Sequence, residues 1–314
     1  MNTSAAQGAM VQARMIILFN GGSGKRDTAH VPDRIRAAFR DCGIEAEIRV
    51  LDQDIDITTA AREAVELGFD TIVAAGGDGT ISAVASVLRG SGAVLGILPL
   101  GTFNYFARSL DIPLEIADAA KLLGTGVRRK VRVASINDRT FLNNASLGAY
   151  PAILETREKI YRRWGRSRIA AYWSVLVALF TLRRPLHLRI EAGEAVIERH
   201  TPLVFAVNNA FQLDQVGLSG REEIAAGRLA VFIAPHTNRW GMLLNSLLLA
   251  LGLAGKNENF DMVAADHIRI EERRSSRDVA CDGERAKMDA PYELRVIEDE
   301  LTVIVPAAQQ DEVR

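Results

Sequence analysis

The sequence predicts an α/β domain built on a parallel sheet, followed by a mostly antiparallel, β-rich second domain. Three observations carry this prediction. In the first 125 residues, short wholly apolar runs alternate with longer stretches of helical spacing. Two of those runs pass directly into glycine-rich turns. After about residue 126 the runs alternate polar with apolar residues instead.

The apolar runs MIILF (15–19), TIVAA (71–75) and AVLGIL (93–98) suit strands covered on both faces. IEAEIRV (44–50) makes a fourth strand. VPDRIRAAFRDC (31–42), ITTAAREAVEL (57–67) and ISAVASVLR (81–89) separate them as helices. Strand–helix–strand repetition implies a parallel sheet between helices. Ligands then bind beyond the carboxyl ends of the strands, and both glycine-rich turns fall on that edge. The second domain, 131–296, holds KVRVASIN (130–137), HLRIEA (187–192), PLVFAVNNA (202–210), RLAVFIA (228–234), HIRIEE (267–272), RDVACDG (277–283) and YELRVI (292–297). Helical stretches interrupt it near 151–182 and 239–254. The apolar run LTVIVP (301–306) sends 297–314 back to the first domain, 15–130. Residues 1–14 are small and polar and are expected to be disordered.

The formal net charge is −1, so no global field points to nucleic acid. Cys42 and Cys281 are the two cysteines, too few for a disulfide framework, and no Cys/His spacing suggests zinc. A reducing, cytoplasmic setting follows. MIILF is too short for the core of a signal peptide. The segments 169–182 and 242–255 are 14 residues each, against about 20 for a bilayer span.

The stretch LFNGGSGKRDT (18–28) looks at first like a Walker loop. With Gly24-Lys25 as the G-K pair, however, the first glycine falls on Phe19 and the Ser/Thr on Arg26. AAGGDGTISAV (74–84) is more informative. Gly76, Gly77 and Gly79 let backbone approach a ligand, and Thr80 is expected to cap the following helix. A helix N-terminus there is ready for an anion. Asp78 would be repelled by phosphate unless a divalent cation bridges them, or unless it handles a proton.

GGDGT resembles the signature of the superfamily of diacylglycerol, sphingosine and NAD kinases and phosphofructokinases. LPLGTFNYFARSL (98–110) resembles the PLGTxN segment of its lipid kinases. NGGSG (20–24) resembles their N-P-x-S-G loop, with Gly21 for Pro, and CDGE (281–284) their late D-G-E segment. NNASLG (143–148) and FAVNNA (205–210) are similar to segments of bacterial members. The resemblance, to the bacterial diacylglycerol kinase and lipid kinase family, runs from 15 to 306. It implies an ATP-binding α/β domain, a β-rich lipid-substrate domain, and an active site in the cleft between them.

On that resemblance the nucleotide site is Asn20, Gly21, Gly22, Ser23, Gly24, Gly76, Gly77, Asp78, Gly79, Thr80, Ile81, Ser82 and Thr102. Glu284 is the general base, and Asp78 is the second catalytic carboxylate. Asp282 and Asn104 support them. Read without the resemblance, D-G-E is a hairpin turn. Lys25 is a candidate to neutralise ATP charge. Tyr105 stands where many members carry Asp, and reads equally as pocket wall or packing.

ATP and Mg2+ are the expected cofactors, with Mg2+ near Asp78. An accessory metal is expected in the family at L-D-D-G-x-L. The matching stretch here is Ile224 to Leu229, with Ala225 and Ala226 at both acidic positions. Alanine offers a hard cation no side-chain oxygen, so this site is doubtful unless Glu222 or Glu223 substitutes.

The basic, Trp-bearing stretch 156–168 leads into an apolar segment closed by Arg183-Arg184. It suits an anionic membrane surface, and a core helix flanked by a basic turn somewhat better, since buried helices commonly have this length. Peripheral membrane contact through 156–184 is nonetheless an expectation. So are a membrane lipid as substrate and, for oligomeric state, a homodimer. The competing readings are a superfamily kinase for a soluble substrate such as NAD, and a non-catalytic nucleotide- and lipid-binding module.

Overall fold

The structure, a computed structural model, describes residues 14–21, 30–51, 55–148, 186–216, 218–235 and 261–307. Gly22, Ser23, Gly24 and Lys25 lie outside the described residues. So do the stretches 156–184 and 239–254, and all but Arg14 of the start expected to be disordered.

Four parallel strands open the chain. They are β1 (Met15–Asn20), β2 (Glu47–Leu51), β3 (Thr71–Gly76) and β4 (Val94–Pro99), in the order β2-β1-β3-β4. Between them run α1 (Val31–Asp41), α2 (Ile57–Glu66) and α3 (Asp78–Leu88). After β4 come α4 (Tyr105–Ser109) and α5 (Ile116–Thr125). The apolar runs of β1 and β3 divide by alternation. Ile16, Leu18, Ile72 and Ala74 face α2 and α3, while Ile17, Phe19, Val73 and Ala75 face α1 and α5. That is why no polar residue interrupts them.

The remaining strands are β5 (Val127–Ile136), β6 (Arg139–Phe141), β7 (Asn144–Gly148), β8 (Leu186–Ala192), β9 (Ala195–Thr201), β10 (Leu203–Val207), β11 (Leu229–Ile233), β12 (Asp261–Ala265), β13 (His267–Glu272), β14 (Ser276–Cys281), β15 (Glu284–Asp289) and β16 (Tyr292–Val305). Two short helices, α6 (Ala210–Val216) and α7 (Arg221–Ala225), follow β10. The chain's change of texture is not a change of sheet. β16 pairs in parallel with β4 at Thr302 and Val303, and antiparallel with β5 along most of its length. Its first residues pair with β13, so one ten-stranded sheet runs from parallel to antiparallel. A second sheet, β12-β11-β10-β7-β14-β15, is antiparallel throughout. It packs on the antiparallel half of the first through a core that includes Ile136, Ile190, Ile268, Ile270, Leu147, Val204, Val231 and Val279.

Elements absent from the sequence reading are α4, α5, α6, α7 and the strands β6, β7, β9, β12 and β15. β9 and β15 are largely exposed, so no apolar alternation marks them. Among the described residues, no helix is long and apolar enough to cross a membrane.

Candidate active site

The turn from β3 to α3 lies on the carboxyl edge of the parallel strands. Gly77 is the N-cap residue and Asp78 already belongs to the helix. The expectation that Thr80 caps the helix is therefore corrected: Thr80 sits in the first turn, buried, and no side chain caps α3. Ile81 is corrected too. Its side chain lies fully buried in the core and its N–H donates to Gly77 O, so it offers a nucleotide nothing. The first-turn amides of Asp78, Gly79 and Thr80 have no intrahelical acceptor, as at any helix start.

The loop after β4 clasps this turn. Leu100 N–H donates to Gly76 O at 2.8 Å. A Cβ added to Gly101 would stand 2.7 Å from Gly77 Cα, so the two loops touch backbone to backbone. Asn104 adopts a left-handed conformation, φ 52°. Its amide closes on Gly101, accepting from Gly101 N–H at 3.0 Å and donating to Gly101 O at 3.1 Å. The chain then crosses Asp78, whose Oδ1 accepts from Phe106 N–H at 3.3 Å. Burial pushes the Asp78 carboxyl above its ordinary value, and the Asp282 carboxylate adds to this. The N–H groups of Phe106, Asn104 and Tyr105 work the other way. A partly desolvated carboxylate facing another carboxylate is a fitting neighbour for a divalent cation. Thr102 is exposed. Tyr105 stacks on Phe103, with centroids 5.3 Å apart, and leans on Phe211 of α6.

The D-G-E segment is a hairpin turn, and more. Asp282 and Gly283 have φ 48° and 86°, the positive pair that a two-residue type I′ turn requires. Cys281 pairs with Glu284 to close it. The Asp282 carboxylate is buried and heavily bonded. It accepts from Ser82 Oγ at 2.6 Å, Leu142 N–H at 2.7 Å, Asn143 N–H at 2.8 Å and Asn144 N–H at 3.0 Å. Burial pushes its carboxyl up while these four donors pull it down. Ser82, expected at the nucleotide, is thus committed to Asp282. Glu284 is exposed; its Oε1 lies 3.5 Å from where a Cβ on Gly79 would stand. The turn of the second sheet therefore meets the start of α3.

Three arginines that the sequence reading did not mark line the cavity of about 560 Å³ beside this junction. Arg139 Nη2 donates to Glu284 Oε2 at 2.8 Å. Arg89 Nη1 donates to Thr140 Oγ1 at 3.0 Å and Nε pairs with Glu300. Arg62 reaches in from α2. No local pattern announces them, because they come from α2, the C-cap of α3 and β6. Cys281 is buried here, and burial pushes its thiol up to about 12, so it stays protonated at neutral pH.

The stretch 224–229 does not fit the accessory metal. Ala225 and Ala226 are exposed, and Glu223 pairs with Arg228 at 2.5 Å. The guanidinium of Arg132 reaches this stretch instead, donating to Ile224 O at 2.5 Å and to Asn208 O at 3.5 Å. Among the described residues, no group of three or more His, Cys, Asp or Glu is placed to hold a metal.

An α/β half with a clasped glycine turn, crossed by a hairpin from an antiparallel half, is the fold of diacylglycerol kinase-like proteins. A crystal structure of a diacylglycerol kinase from Bacillus anthracis superimposes with a TM-score of 0.69 at 23% identity. The match covers 94% of this chain and 98% of that one. Residues 14–136 match the family model of the diacylglycerol kinase catalytic domain. A Klebsiella pneumoniae protein named "Probable lipid kinase YegS-like" is 42% identical over 126 residues, 39% of this chain and 42% of its own length. A Pseudomonas aeruginosa protein of the same name is 47% identical over 114 residues, 36% of this chain and 37% of its own. The chain thus matches about two fifths of the length of these relatives. The family resemblance read from GGDGT and PLGT stands over residues 14–136.

Proposed function

We propose that the chain transfers the γ-phosphoryl group of ATP to the hydroxyl of a lipid alcohol, diacylglycerol being the first to test. One observation supports this above the rest. The β14–β15 turn puts Asp282 on Ser82 and Glu284 beside Gly79, at the N-terminus of α3. Phosphoryl transfer asks a protein for positioning, charge neutralisation and one base, and this junction offers all three.

In this reading the amides of Asp78, Gly79 and Thr80 face the phosphates, with Asn20 and Gly21 at the end of β1 and Thr102 completing the edge. Asn104 shapes that edge. Mg2+ bound with ATP supplies neutralisation of the phosphate charge, and Asp78 is the carboxylate to meet it. Glu284 takes the proton of the acceptor hydroxyl. Arg139 orients it by holding Oε2, which leaves Oε1 toward α3. Asp282 acts through the turn. The protein works in the cytoplasm, in peripheral contact with the membrane that holds its substrate.

The test is phosphate transfer from labelled Mg-ATP to a panel of lipid alcohols in mixed micelles, with Glu284→Gln beside the native chain. Label in one lipid, lost in the variant, is expected and names the substrate class. Label retained in the variant removes Glu284 from its role. Absence of label with ATP binding intact points to a soluble acceptor such as NAD, or to a binding module without turnover.

A further inference from the structure

We propose that Arg132 is the resident cation of the joint between the two sheets, its guanidinium holding the Ile224 and Asn208 carbonyls beside a stretch, 224–229, that offers a divalent ion no side-chain carboxylate. The sequence offers a metal nothing at Ala225 and Ala226. The carbonyls remain: Glu222, Glu223 and Ile224 O accept from Ala226, Arg228 and Gly227 N–H, and the second lone pair of Ile224 O is open to a cation. Ile224 is the penultimate residue of a five-residue helix, α7, whose carbonyl end carries its negative pole. Asn208 O stands just beyond β10. Arg132 Nη1 and Nη2 take one carbonyl each, at 2.5 Å and 3.5 Å. Two separate acceptors suit a planar fork with several N–H groups better than a lysine ammonium.

The fold places the arginine for this. β5 and β16 lose register between Ile297 and Leu301, so three residues of β16 bulge opposite Arg132 alone. The bulge carries Glu298, whose carboxylate acts on Arg132. The charges balance accordingly. A divalent ion with two aspartates sums to zero, and so does Arg132 with Glu298. The joint ties β5 of the first sheet to β10 and α7 of the second. It also forms one wall of a cavity of about 550 Å³ between them.

The test is thermal unfolding of the full chain by circular dichroism, without nucleotide or lipid, so that its outcome is separate from the kinase reading. The native chain is expected to melt at the same temperature in EDTA and in excess magnesium or calcium. Arg132→Met is expected to melt lower, and equally so in both media. Arg132→Lys, which keeps the charge but not the fork, is expected to fall between them. Adding Ala225→Asp and Ala226→Asp to Arg132→Met is expected to restore stability only when a divalent ion is present. A native melting point that climbs and saturates with either metal overturns the proposal. So does Arg132→Met melting with the native chain, or a triple variant that no divalent ion restores.

Discussion

Replacing Asp282 tests how the two sheets are joined. The carboxylate accepts three backbone N–H groups and the Ser82 hydroxyl in a buried setting. Asp282→Ala leaves Leu142, Asn143 and Asn144 without that acceptor. Each buried donor so orphaned costs about 1–3 kcal/mol. Water entering from the adjoining cavity recovers part, which leaves a loss of roughly 3–5 kcal/mol, the scale for breaking a buried charged network. At about 2 °C per kcal/mol for a chain of this size, the melting point falls by roughly 6–10 °C. Asp282→Asn should lose about a third as much. Its oxygen serves Asn143 and Asn144, Ser82 turns to accept from its amide, and only Leu142 N–H is orphaned. It also removes a buried charge that burial disfavours. Asparagine tolerates the left-handed conformation as aspartate does. Circular dichroism melts of the three proteins decide. If Asp282→Ala melts within ~2 °C of the native chain, the network does not hold the sheets together.

Gly101→Ala drives a Cβ against Gly77 Cα and Asn104 Oδ1, each at 2.7 Å, and should cost about 1–3 kcal/mol by overpacking; calorimetry should show ATP binding weakened with it. Asp56 caps α2 through Thr59 N–H at 3.2 Å, so Asp56→Ala should lose about 1 kcal/mol at neutral pH in urea unfolding. The hydrogen bond from Thr58, with those from Thr59, holds the Asp56 carboxyl below its ordinary value of 3.8, so this stability is present above that value. It is lost as pH falls through the folded pKa, and the native and variant curves should converge there. Mass spectrometry after iodoacetamide at neutral pH should show exposed Cys42 labelled and Cys281 untouched until the chain is denatured.

The parallel half was legible because its strands are buried on both faces and its helices show one apolar face each, patterns a few residues long. The strands bearing half-exposed alternation were legible for the same reason, and β9 and β15 were not because they lie on the surface. The glycine turns, Asp78, Asp282 and Glu284 stood out by type and order in the chain. Their geometry did not. Thr80 and Ile81 belong to a helix that begins three residues earlier than expected, and Ser82 turns to Asp282, 200 residues away. By itself, then, the sequence determined the fold class, the family resemblance and the residue types of the junction, since these rest on local periodicity and motif spacing. Tertiary structure alone decided that one sheet spans both halves, that Arg139 holds Glu284, and that Arg132 takes the carbonyls of 208 and 224. Those outcomes depend on contacts between residues far apart in the chain, and hydrogen bonds of that kind leave no period in a sequence.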